Sequence, residues 1–116
     1  MSVSMGIDGI RYSNGSIYYT NIFASKLYKM PVDSEGKKAG SATQLWGNQM
    51  ADDMYVSPEG VAYVAATNGI QRVTADGKVS TVATVRSATA VTIGADKSTL
   101  YIAGSDGTIS SIKIPV

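Results

Sequence analysis

Two carboxylates at matching places in a repeated pattern are the residues of this chain best suited to chemistry. Asp8 stands in Ile7-Asp8-Gly9-Ile10-Arg11-Tyr12 and Asp52 in Ala51-Asp52-Asp53-Met54-Tyr55-Val56. Each run leads into a Gly-bearing turn and a strand built around tyrosine. Two such carboxylates supply hard oxygen ligands for Ca²⁺, Mg²⁺ or Mn²⁺, or for Zn²⁺ with an open position that polarises a carbonyl and acidifies a bound water. Crowded without a metal, like charges raise one pKa and yield a general acid or base. An Asp at a strand entrance also caps a turn by accepting backbone N–H bonds, and the sequence leaves that third role open. Histidine and cysteine are both absent. No His-based triad, imidazole base, His–metal site or thiol nucleophile can therefore be built from this chain alone.

The elements that must position these residues are short strands. Ile7 to Tyr12, Ser16 to Thr20, Lys26 to Val32 and Ala42 to Trp46 alternate apolar and polar residues around turns such as Ser13-Asn14-Gly15. Asp53 to Ser57, Val61 to Ala66, Gly69 to Thr74 and Val79 to Thr84 repeat the series, with Asp76-Gly77 as a hairpin signal. Ala90 to Gly94, Thr99 to Ala103 and Thr108 to Ile114 begin it a third time. No stretch shows a sustained helical period. Four short strands per repeat of roughly 40 residues is the signature of β-propeller blades. The expected fold is all-β: one domain over residues 1–116, with blades at about 6–48, 49–87 and 88–116. A β-sandwich or barrel is the alternative. The recurring Tyr18 or Tyr19, Tyr63 and Tyr101 follow the blade period and are expected to be structural.

With 44% hydrophobic and 16% charged residues the chain has a folded domain's composition. Its net charge of +1 is scattered, so neither nucleic acid nor an anionic membrane is an expected partner. Met1 to Met5 lacks the basic and apolar regions of a signal peptide, and no apolar run approaches ~18 residues. The expectation is a soluble, cytoplasmic chain or one cut from something longer.

Propellers close with about four to eight blades, so three cannot make a ring. Either the other half is supplied by a longer chain, or two copies close six blades around a two-fold axis. In the second case Met1 to Met5 could serve as the outer strand of the partner's third blade, which lacks its fourth. Inner-strand entrances and the loops between second and third strands crowd one channel mouth, where small-molecule sites commonly sit. That places Asn21, Phe23, Trp46, Asn48, Met50 and Asn68 as candidate substrate-binding residues. Asp52, Asp53 and Arg86 are candidate catalytic residues, and Asp8 and Asp52 candidate metal ligands. Trp46 with Phe23, Met50 and Met54 reads as an apolar pocket wall or, as such residues more often are, as blade packing. Arg86 reads as a carbonyl-orienting group or a solvated rim charge.

Gly6 to Tyr12 followed by Gly15 to Asn21, and Ala51 to Met54 followed by Gly60 to Ala65, resemble later blades of the senescence marker protein/gluconolactonase-like family, especially its fungal members. The resemblance covers nearly the whole chain and about the C-terminal half of a six-bladed propeller. It implies a metal-dependent lactone hydrolase whose divalent ion is held by a Glu, an Asn and an Asp from different blades. Asp8 falls at the Asn position and Asp52 at the Asp position. Asp53 replaces the usual glycine, the third repeat offers Thr89, and the family's Glu belongs to a blade outside this chain. Some fungal relatives instead catalyse metal-independent hetero-Diels–Alder cyclisations by shaping a pocket. A non-catalytic self-assembling scaffold is the third expectation.

Overall fold

The computed structural model describes residues 6–47 and 49–115, and every regular element in it is a β-strand. The first sheet is a meander of β1 (Ile7–Ser13), β2 (Ser16–Asn21), β3 (Lys26–Pro31) and β4 (Thr43–Gly47). The second is β5 (Ala51–Val56), β6 (Ala62–Ala66), β7 (Gly69–Val73) and β8 (Val79–Ala83). β9 (Ala88–Ile93), β10 (Thr99–Gly104) and β11 (Ile109–Lys113) form the third, three-stranded among the described residues. All pairings are antiparallel between neighbours in sequence. The innermost strands β1, β5 and β9 pack side by side, so the sheets form an arc of propeller blades. Met1 to Met5 and Asn48, which carried the expected closing strand and one expected mouth residue, lie outside the described residues.

Alternation decides what each blade buries, because successive side chains point to opposite faces. In β2, Tyr18 and Thr20 turn towards the second sheet, while Ile17 and Tyr19 turn away from it. Tyr18, Leu27 and Trp46 then meet Met54, Val56, Ala62, Val64 and Val73 in one inter-blade core. Tyr63, Ala65 and Ile70, on the opposite face of the second sheet, meet Val91, Leu100, Ile102 and Ile114 in the next. The repeat tyrosine therefore always faces the blade that follows. Tyr18 and Tyr63 are buried there, whereas Tyr101 is 45% exposed because no fourth sheet follows it among the described residues.

Each inner strand is interrupted at the same place. The register slips between Ile7 and Ile10, between Ala51 and Asp53, and opposite the step from Ala103 to Gly104. Asp52 and Thr89 are the extra residues of their strands, and Asp8-Gly9 together oppose Thr20. Such bulges re-aim side chains without ending the strand. They also explain why β5 and β9 begin two residues earlier than alternation alone suggests. The Gly9 N–H freed by the first bulge donates to Thr20 Oγ1 at 2.9 Å. A Cβ on Gly9 would lie 2.8 Å from the Asp52 carbonyl oxygen, so only glycine allows the blades to approach this closely.

Leu27 is fully buried at the first inter-blade core. Leu27→Ala is expected to cost about 2–5 kcal/mol. Val79→Ala, on an exposed outer strand, should stay within about 0.5 kcal/mol. Urea titration of the two variants against the parent chain measures both.

Candidate functional site at the channel mouth

The bulges bring Asp8 and Asp52 to the rim where the arc opens. Asp8 is exposed, Asp52 is half-buried, and neither carboxylate has a hydrogen-bond or ion-pair partner among the described residues. The turn-capping role left open by the sequence is not what they perform. The Asp52 carboxyl is pushed above its ordinary 3.8, first by burial and then by the negative charges of Asp8 and Asp53. That repulsion places Asp8 and Asp52 within electrostatic reach across the blade boundary. Asp52 also lines a recess of about 320 Å³ between the second and third blades, with Met50, Thr67, Ser87, Thr89 and Ser105 around it. Ser87 holds a left-handed φ of 56° at this rim, and its carbonyl accepts the Ser105 N–H at 2.9 Å.

Asp53 plays a different part from its neighbour. It is only 8% exposed, and its Oδ2 accepts from Arg11 Nη2 at 3.0 Å and from the Val91 N–H at 3.3 Å. One oxygen thus joins β1, β5 and β9. Its other oxygen, Oδ1, is buried without a hydrogen-bond partner. Asp53, expected among the catalytic residues, is not in the recess lining and is engaged by the two neighbouring blades. Arg11, its cationic partner, is the residue the sequence reading overlooked. Its signal was a cation on an inner strand at a position where the other repeats carry Tyr55 and Thr92.

The remaining expected residues scatter. Trp46 is 5% exposed and packs in the first inter-blade core, so it forms no pocket wall; its place in β4 opposite Leu27 turns it inward. Met54 is fully buried in the same core. Asn21 is buried at the end of β2, where its Oδ1 accepts the Ala24 N–H at 3.0 Å and shapes the turn to β3. Phe23 is exposed at that turn, and Asn68 and Arg86 are exposed away from the recess lining. Among the described members of the substrate-binding set, Met50 alone meets Asp52 there. Thr67 and Ser105 were missed, for turn hydroxyls carry no distinguishing sequence signal. The other turn aspartates are occupied locally: Asp96 accepts from Thr99, Ser98 and Lys113, which hold its carboxyl well below the usual range. A larger cleft of about 630 Å³ opens at the opposite end of the sheets. It lies far along the strands from Asp8 and Asp52, and in it burial, then Glu59 and Tyr63, push the Tyr55 phenol up.

The model of one protein family, described as the SMP-30/gluconolactonase/LRE-like region, matches residues 3–106. The chain belongs to this family. Solved structures share its fold at low identity. A gluconolactonase from Xanthomonas campestris superposes with a TM-score of 0.74 at 15% identity, over 94% of this chain and 38% of its own. Regucalcin from Agrobacterium tumefaciens, described as a calcium-binding protein, gives 0.68 at 21% identity over 83% and 37%. A streptogramin B lyase gives 0.58 at 18% identity over 96% and 41%. The chain thus spans well under half the length of these relatives. No curated protein matches it.

A divalent ion is the group that membership in the gluconolactonase-like family brings into question. Asp8 and Asp52 offer unpartnered carboxylate oxygens, and Thr89 stands at the equivalent bulge with its hydroxyl bonded to the Ala103 carbonyl at 3.3 Å. No cluster of three or more His, Cys, Asp or Glu side chains forms among the described residues. The donor chemistry fits a hard cation on one wall of an open site, with further ligands left to water or to other blades.

Two outcomes test this electrostatic layout. Arg11→Met leaves the Asp53 carboxylate buried and half-partnered, a loss of about 1–3 kcal/mol. Adding Asp53→Asn should recover part of it, with a coupling of about 1 kcal/mol in a double-mutant cycle by denaturant unfolding. A carboxyl raised above 3.8 favours folding only while protonated, and opposes it as pH rises through the raised value. Asp52→Asn should therefore raise the melting temperature at neutral pH with chelator present. The gain should vanish as pH falls below 3.8.

Proposed function

We propose that the mouth binds a small, oxygen-rich substrate of the lactone class, and that Asp8 and Asp52 hold a divalent cation that makes the site a lactone hydrolase. The observation that carries this reading is the pair of carboxylates, set by two equivalent bulges at one rim and left without hydrogen-bond or ion-pair partners among the described residues. Burial first, and then the negative charges of Asp8 and Asp53, disfavour the ionised Asp52 carboxylate, and a cation held by the pair would offset both. When bound, it would supply charge neutralisation and polarisation of the ester carbonyl.

Lactone hydrolysis adds water across the ring ester bond. The water oxygen joins the acyl carbon, the C–O bond to the ring oxygen breaks, and a hydroxy acid results. Asp52 is half-buried beside the recess, where its carboxylate oxygen left free of the cation is suited to accept the proton from water and return it to the leaving ring oxygen. Ser87 lines the same recess and supplies a hydroxyl suited to orienting substrate oxygens. Membership in the gluconolactonase-like family and the calcium-binding description of the Agrobacterium relative support this reading. Cyclisation by pocket shape alone draws on an aromatic mouth, and that reading loses Trp46 to the core.

Titration calorimetry with Ca²⁺ or Zn²⁺, together with δ-gluconolactone hydrolysis followed by proton release, provides the test. Asp52→Ala should weaken metal binding roughly tenfold or more and abolish turnover. Metal affinity unchanged in that variant would end the proposal.

A further inference from the structure

We infer that the cleft at the opposite end of the sheets from Asp8 and Asp52 is a second binding site, suited to a small monocarboxylate with an aromatic or branched apolar body. It stands apart from the mouth and does not depend on the reading given to it.

The cleft measures about 630 Å³, a volume typical of small-molecule sites. Its walls come mainly from the boundary between the second and third blades, inside the arc. There β5, β6 and β7 set Tyr55, Tyr63 and Arg72 side by side in one cross-strand row, with the two rings stacked at 6.1 Å. Ile93 of the third sheet adds apolar surface, and Glu59 and Lys97 lie exposed in the turns at the rim.

Arg72 sets the chemistry of the cleft. In the first sheet the same row reads Arg11–Tyr18–Lys29, and both of its cations are answered inside the chain. Arg11 pairs with Asp53 at 3.0 Å, and Lys29 Nζ lies 5.7 Å from the centre of the Tyr18 ring. Arg72 takes the position of Lys29, yet its side chain has no hydrogen-bond or ion-pair partner among the described residues, and its Nε is buried. A half-buried guanidinium in that condition destabilises the fold unless something other than the chain's side chains bonds it. With Nε covered, the terminal nitrogens are what Arg72 offers a ligand. Their parallel N–H groups match the two oxygens of a carboxylate.

Charge and surface choose the rest of the ligand. Two cations, Arg72 and Lys97, against one carboxylate, Glu59, leave a single net positive charge in the lining, which suits a monoanion better than phosphate. The Tyr55 phenol, pushed up by burial and then by Glu59 and Tyr63, keeps its proton and serves as a donor. The tyrosine rings, Val61 and Ile93 present carbon, so the body of the ligand is apolar.

Benzoate is the probe. Titrated into the metal-free, isotopically labelled chain, it should give saturable NMR shifts at the Arg72 Nε–H and the Tyr55 amide, and none at Asp8 or Asp52. Methyl benzoate, which lacks the charge, and acetate, which lacks the body, should each bind about tenfold more weakly or worse. Arg72→Gln should weaken benzoate binding by about tenfold or more. Glu59→Gln, an exposed substitution that removes the one opposing charge, should tighten it, with circular dichroism confirming that both variants fold. Should Arg72→Gln fail to fold, Glu59→Gln and the ligand series on the parent chain still decide. Absence of saturable shifts in the parent chain, equal binding of methyl benzoate, tighter binding of inorganic phosphate or weaker binding in Glu59→Gln would each overturn the inference.

Discussion

A single carboxylate oxygen holds the arc together at its centre. Asp53 Oδ2 receives the Arg11 guanidinium from the first blade and the Val91 amide from the third. Each inter-blade core joins only two sheets through non-directional packing, which tolerates sliding. The Asp53 contacts are directional and charge-assisted, and they tie all three inner strands to one point. Ser13 adds a second tie at the other strand end, donating to the Ser57 carbonyl at 2.9 Å. With β1 and β5 tied at both ends and β9 held through Val91, the bulges near their starts are kept in register with each other.

That constraint gives adjacent aspartates opposite tasks. Asp53 follows the regular alternation, points into the blade boundary and is neutralised by Arg11. Asp52 is the extra residue of the bulge and leaves the ladder for the recess. The Gly9 backbone, close against both, sets the distance between first and second blades. Burial and two neighbouring negative charges then raise the Asp52 pKa, while its partner in the pair remains exposed. The chemistry of the rim therefore depends on a structural ion pair one residue away.

Much of the architecture could be read from sequence because period-two alternation and Gly- or Asp-bearing turns are local signals. The eleven strands of the described residues and the order of their pairing follow from them. Asp8 and Asp52 were legible through repetition, which aligned them although no contact joins them in the chain. What failed was side-chain direction. Asp53 looked as reactive as Asp52, because a one-residue bulge reverses the facing of neighbours and leaves no local mark. Trp46 near a loop suits a rim or a core equally well, and only its position opposite Leu27 in β4 decides for the core. Tyr101 shares its repeat position with Tyr18 and Tyr63 but not their burial, which depends on the neighbour and not on the residue.

The bulge recurs at one level in all three blades, and its extra residue takes no part in the strand ladder. Asp8 and Asp52 can therefore change identity without disturbing the strand ladder or the cores beneath them, and Thr89 can do so at the loss of one hydroxyl bond to the Ala103 carbonyl. Duplication of such a unit copies a socket along with a wall. Each socket is then free to acquire a carboxylate, a hydroxyl or another group independently, so new chemistry can arise by single substitutions on a scaffold whose stability is set elsewhere.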